Sequence, residues 1–208
     1  MSLRTFIAML LVFVMLALPG SGSAAPAPEL VLQVDIGSSP PEYKQRRVRL
    51  SRSRTVVIEL DLGEELGGQP VWLAAGASHG TYRVLERYRT SMTVMGEGPH
   101  VDLVDWRHHD SAWQSMATTT RNHFVSRVIS DREESLFPRV SRREMQMAVD
   151  SRARRTWPAA SKLVRQCSGP TSYPCAVGVS SRYFRVQRRV SGNWVGVGDV
   201  EVRLPMGC

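Results

Sequence analysis

The side chains with the richest chemistry fall in one short run, His100-Val-Asp102-Leu-Val-Asp105-Trp-Arg-His108-His109-Asp110. It contains three of the five histidines and three carboxylates. In a strand over 100–104, His100 and Asp102 share a face because side chains alternate with a period of two. They are then close enough to hydrogen-bond or to hold one ion, and the loop leaving the strand carries His108 and His109. Imidazole and carboxylate donors suit zinc or another divalent transition metal. His100, Asp102, His108 and His109 are therefore the candidate ligands, although their spacing matches no established pattern. The competing reading is a solvated loop paired with arginines such as Arg107.

Other catalytic chemistry finds less in the chain. Nucleophilic catalysis needs a Ser or Cys, a base and an orienting acid brought together. No G-x-S-x-G elbow occurs, and Ser78 and His79 are adjacent, so on a strand they face opposite ways. There is no phosphate-binding P-loop and no dinucleotide-binding glycine run. A basic stretch, Arg46, Arg47, Arg49 and Arg52, is the candidate binding surface. Arginine's planar fork grips carboxylates and phosphates through paired hydrogen bonds, but a charged edge strand that resists aggregation has the same composition. Arg152, Arg154 and Arg155 have a structural use, since cations near a helix C-terminus complement its dipole.

These residues sit in a chain of 208 residues with a formal net charge of +8, in which Lys44 and Lys162 are the sole lysines among 27 basic residues. Apolar content of 42% and charged content of 22% exclude whole-chain disorder. The length suits a single domain. Residues 1–24 read as a secretory signal peptide: Arg4, an apolar run from Phe6 to Leu18, then Pro19-Gly20 and the small residues Gly22-Ser23-Ala24. A helix over that run is about 20 Å long against a hydrocarbon core of about 30 Å, so stable membrane insertion is not expected. Export to the periplasm or outside the cell makes nucleic acid an unexpected partner. It favours another protein or an anionic envelope polymer.

An oxidising compartment also predicts that Cys167 and Cys175 pair across a short loop holding two prolines and a glycine. Such a staple is worth about 2–3 kcal/mol on the chain-entropy account. Cys208 could be a spare thiol, the partner of one of the other two, or the link of a disulfide-bonded dimer.

The elements that must position these groups are mostly strands. After a flexible lead-in over 25–43, which includes a first strand at Leu30–Ile36, the spacing predicts one β-rich domain over 44–208. A strand is expected over Arg46–Leu62, with Val56, Ile58, Leu60 and Leu62 on one face. A long strand over Tyr82–Val94 carries Arg83, Arg87 and Arg89 opposite its apolar face, where Glu86 suggests a bend or an edge. Ser141-Arg-Arg-Glu144 has the spacing of a capping box, so a helix over 141–154 is expected, with a short second helix at 159–166. A hairpin joins Tyr183–Val190 to Trp194–Leu204 through Ser191-Gly192-Asn193, and Arg185 and Arg189 are expected to face acids on the return strand. Gly196 and Gly198 suggest a bulge.

The expected fold is mainly β, all-β or α+β: an antiparallel sheet or sandwich with a helical insertion around 141–166. The expected function is a non-enzymatic binding module without a cofactor, of the inhibitor or immunity type or directed at an envelope polymer. The alternative is a metal-dependent enzyme or metal-binding protein using the 100–110 loop.

Overall fold

The computed structural model describes residues 29–38, 44–74, 80–96, 100–103, 106–153, 158–167 and 174–206. Residues 1–24, expected to be a signal peptide, lie outside them, as do Ser78-His79, Asp105, Cys208 and the side chain of His100. The described chain is mainly β. Its strands are β1 (Val31–Ser38), β2 (Lys44–Arg49), β3 (Val56–Glu59), β4 (Glu64–Glu65), β5 (Pro70–Ala74), β6 (Tyr82–Met95), β7 (His100–Leu103), β8 (Gln114–Ser115), β9 (Ala117–Thr120), β10 (His123–Val125), β11 (Cys175–Val190) and β12 (Asn193–Arg203). Its helices are α1 (Asp131–Glu134), α2 (Arg142–Ala153) and α3 (Ala160–Val164).

The strands form two six-stranded sheets. The first runs β2-β1-β5-β10-β9 with β4 attached to β1, and the second runs β3-β12-β11-β6-β7 with β8 attached to β6. All pairings are antiparallel except β3 on β12. A shared core lies between the sheets, with Leu32, Val34, Val71 and Phe124 from the first meeting Val84, Phe184, Val186, Val200 and Val202 from the second. Each such side chain, fully withdrawn from water, contributes about 1.5–3 kcal/mol. A second core covers the far ends of β6 and β11, where Met92, Val94 and Leu103 pack against Met145 and Val149 of α2 and Val164 of α3. The Cys167–Cys175 disulfide forms as the spacing predicts, with Cα atoms 5.6 Å apart, and ties the end of α3 to the start of β11.

One face of β6 therefore serves two cores, and Glu86 sits between them. The edge suggested for Glu86 does not occur, since at this position β6 lies between β11 and β8. Glu86 is 1% exposed and pairs with Arg182, itself 5% exposed. The same Arg182 nitrogen donates to Ser126 Oγ at 3.1 Å and to the Arg127 carbonyl at 2.7 Å, while the Arg127 amide donates to Glu86 Oε2 at 2.9 Å. A buried carboxylate is tolerable only with such partners. Here the pair fastens the segment leaving the first sheet to the middle of the second.

The continuous strand expected over Arg46–Leu62 is two strands in different sheets. Residues 50–55 cross from one layer to the other, so the period-two pattern holds only from Val56, and Leu62 is 60% exposed beyond the end of β3. The first strand, expected within a flexible lead-in, is an inner strand between β2 and β5. The capping box at α2 is present: Ser141 donates from its amide and hydroxyl to Glu144 Oε2 at 2.9 and 2.8 Å. The same device, unforeseen, starts α1 at Ser130 and Glu133. At the hairpin tip Ser191 and Gly192 have φ of +47° and +86°, the doubly left-handed turn whose twist matches the strands it joins.

Candidate functional site

Alternation along β6 turns Arg83, Arg87 and Arg89 away from the core. The register sets Arg87 opposite Tyr183 and Arg83 opposite Gln187 on β11, and Arg185 opposite Asp199 and Tyr183 opposite Glu201 on β12. Trp113, from the segment leading into β8, lies over this surface. A ladder of alternating cations and rings results. Arg185 lies 4.5 Å from the Trp113 centroid, and Arg87 lies 5.0 Å from Trp113 and 4.7 Å from Tyr183. Arg89 lies 5.9 Å from Tyr183. Beside it Arg83 stacks on Trp194 at 4.4 Å and donates from Nε to Gln187 Oε1 at 2.7 Å. Stacking uses the guanidinium faces and leaves their N–H edges to point elsewhere.

The ends of the ladder are anchored to acids and its middle is not. Arg185 donates to Asp199 from Nε at 3.1 Å and from its terminal nitrogen at 2.9 Å, hydrogen bonds that push its pKa above the ordinary arginine value. Arg89 binds Asp110 at 2.9 and 3.1 Å, and that hydrogen bonding holds the Asp110 carboxyl below its usual range. Among the described residues Arg83 and Arg87 have no carboxylate within ion-pair reach.

A cavity opens at each end. One, of about 360 Å³, is bounded by the 51–55 crossover and by Arg185, Gly198 and Asp199. The other, of about 500 Å³, is bounded by Arg89, Asp102, Ser181, Tyr183, Glu201 and Arg203. Arg185 belongs to the first cavity and to the ladder, and Arg89 and Tyr183 to the second and to the ladder. The three features make one continuous surface across β6, β11 and β12.

No family model, curated protein or solved structure matches the chain. The site must be judged on its own geometry.

The residues singled out in the sequence are distributed as follows. Asp102 lines the larger cavity beside Arg89. His109 lies against the ring of Tyr88, centroids 6.0 Å apart, and its amide donates to Thr90 Oγ1 at 2.9 Å. Tyr88 and Arg89 point to opposite faces of β6, so Asp102 and His109 are separated by the sheet. His108 approaches Asp110 at 3.7 Å. Among the described residues no three of His, Cys, Asp and Glu converge on one point.

The arginine stretch is likewise divided. Arg46 is turned inward, 3.5 Å from Asp61 and 3.8 Å from Glu64. There Glu64 is held below its usual pKa: burial pushes it up, but the Asp61 amide and the Lys44 and Arg46 cations outweigh that. Arg47 donates to Gln45 Oε1 at 3.2 and 3.1 Å, and Arg49 lies 3.4 Å from Glu29. Arg52 lines the smaller cavity. Of the hairpin's arginines, Arg185 meets Asp199 as expected, whereas Arg189 stands opposite Trp194. Trp113, Tyr183 and Trp194 were not foreseen as a group. The signal present in the sequence was the unbalanced row Arg83, Arg87 and Arg89.

Proposed function

We propose that the protein is an exported, non-enzymatic binding module that holds an anionic polymer along the outer face of its second sheet. The observation that carries this is the ladder Arg185–Trp113–Arg87–Tyr183–Arg89, running between two cavities on an open sheet face. A pre-stacked guanidinium has already given up rotamer freedom, so less is lost when its N–H edges meet a ligand. An extended ligand with repeated negative charge can touch the ladder and both cavities together, which a small molecule cannot. The segment over residues 1–24 and the formed disulfide support export, and export supports an envelope polymer over nucleic acid.

Fluorescence anisotropy with labelled poly-L-glutamate, dextran sulfate and neutral dextran tests the proposal. The two polyanions bind and dextran does not, binding weakens as salt is raised, and Arg87→Ala lowers polyanion affinity at least tenfold. Equal binding of neutral dextran, or unchanged affinity in Arg87→Ala, would overturn it.

A further inference from the structure

We infer that the cavity of about 360 Å³ beneath the Ser51–Thr55 crossover is a binding site for a phosphate ester; this rests on the polymer-binding reading and names the charged group the polymer carries. The cavity is shaped by the backbone. The Leu50 amide donates to the Leu30 carbonyl at 2.9 Å, anchoring the crossover as it leaves the first sheet. It then settles on Gly198: a Cβ there would stand 3.0 Å from both Leu50 Cβ and the Ser51 carbonyl oxygen. The register between β11 and β12 shifts beside it, with Val186 opposite Gly198 and Gln187 opposite Gly196, so Val197 bulges at the cavity floor.

The donors lining this cavity are Arg52, Arg54 and Arg185 with the hydroxyls of Ser51, Ser53 and Thr55. Ser51 and Ser53 hydroxyls lie 3.0 Å apart, and the Ser53 amide donates to Ser51 Oγ at 3.3 Å, which fixes both side chains in the turn. Asp199 is the acid on the lining, and both its oxygens are engaged by Arg185. Arg52 and Arg54 have no carboxylate partner among the described residues. The cavity therefore holds an excess of positive charge that the fold leaves uncompensated.

The chemistry selects the ligand class. A neutral sugar would leave two guanidinium groups without an anion, and Val197 is the one apolar side chain available to a ring or acyl chain. A planar carboxylate satisfies one fork. A phosphate ester holds its non-bridging oxygens, two in a diester and three in a monoester, in a tetrahedral array whose lone pairs can accept from two forks and from the hydroxyls at once. The cavity is also roomier than one phosphate requires, which leaves space for the ester group.

Isothermal titration of the whole protein separates the possibilities, using inorganic phosphate, glycerol phosphate and poly(glycerol phosphate) as probes, with poly-L-glutamate as the phosphate-free polyanion. All three phosphate probes bind, and Arg52→Ala with Arg54→Ala weakens each at least tenfold while weakening poly-L-glutamate, which keeps the ladder and the other cavity, by a clearly smaller factor. Arg52→Lys with Arg54→Lys, which keeps charge but loses the fork, falls between. Arg87→Ala gives the converse pattern: poly-L-glutamate binding is lost and inorganic phosphate binding is kept. Tightest binding by poly(glycerol phosphate) assigns the ester to a polymer, and equal binding by the monomer assigns it to a free small molecule. Absence of phosphate binding, or unchanged phosphate affinity in the Arg52/Arg54 variant, overturns the phosphate site. Loss of poly-L-glutamate binding in the wild-type protein with phosphate binding intact overturns the polymer reading alone.

Discussion

At the scale of single residues, the most consequential contact is the buried pair of Glu86 and Arg182. Removing one partner from a buried ion pair leaves an uncompensated charge and costs about 3–5 kcal/mol, whereas replacing both by apolar groups of similar size is often neutral. Glu86→Ala should therefore destabilise the fold by about that amount in urea unfolding. Glu86→Leu combined with Arg182→Met should recover most of the loss. A loss from Glu86→Ala below about 1 kcal/mol would mean that the pair is not what joins the 126–127 segment to the second sheet. In the sequence Glu86 stands out only as an acid interrupting an apolar row. Its partner is 96 residues away and could be named only once β6 and β11 were paired.

At the scale of elements, the segment from His108 to Ser115 decides whether the ladder is complete, because it carries Trp113. It is held along β6 by backbone bonds, the Ser111 amide to the Tyr88 carbonyl at 2.9 Å and the Thr90 amide to the His109 carbonyl at 3.0 Å, and by the Arg89–Asp110 ion pair. Hydrogen bonding to Arg89 lowers the Asp110 pKa below its ordinary value of 3.8. A carboxyl depressed in the folded state contributes stability that is fully present above its unfolded pKa and is lost as pH falls through the folded one. The Trp113 segment should thus stay docked at neutral pH and loosen only below about pH 4. Tryptophan emission should shift to the red over that range, and Asp110→Asn should remove much of the shift. A transition centred well above pH 4 would contradict this role for Asp110.

The elements themselves were largely legible where their determinants are local. The hairpin turn, the Arg185–Asp199 pair, the bulge at Gly196 and Gly198, the Ser141–Glu144 capping box and the disulfide each depend on residues within about twenty positions of one another. The ladder does not: it takes Arg87 and Arg89 from β6, Tyr183 and Arg185 from β11, and Trp113 from between them. Its rings are scattered along the chain, and only strand register gathers them. The reverse happened to the 46–62 stretch. There the period of two begins only at Val56, and the polar run Ser51–Thr55 that precedes it is the crossover between the two sheets.

At the scale of the whole molecule, two sheets share one core, a helical cap closes a second, and the outer face of β6, β11 and β12 is left with stacked cations between two cavities. The fold supplies rigidity at this face from both sides, through the Glu86–Arg182 pair beneath it and the disulfide at the start of β11. Rigid, pre-stacked guanidinium groups are what a binding surface for a flexible polyanion requires, since the polymer already loses conformational freedom on binding. The most direct test is hydrogen–deuterium exchange of the protein with and without saturating dextran sulfate. Protection should fall on 83–89, 108–115 and 181–189, with the first sheet unchanged. Protection confined to β1, β2 and β5, or to α2 and α3, would contradict the assignment of this face as the binding surface.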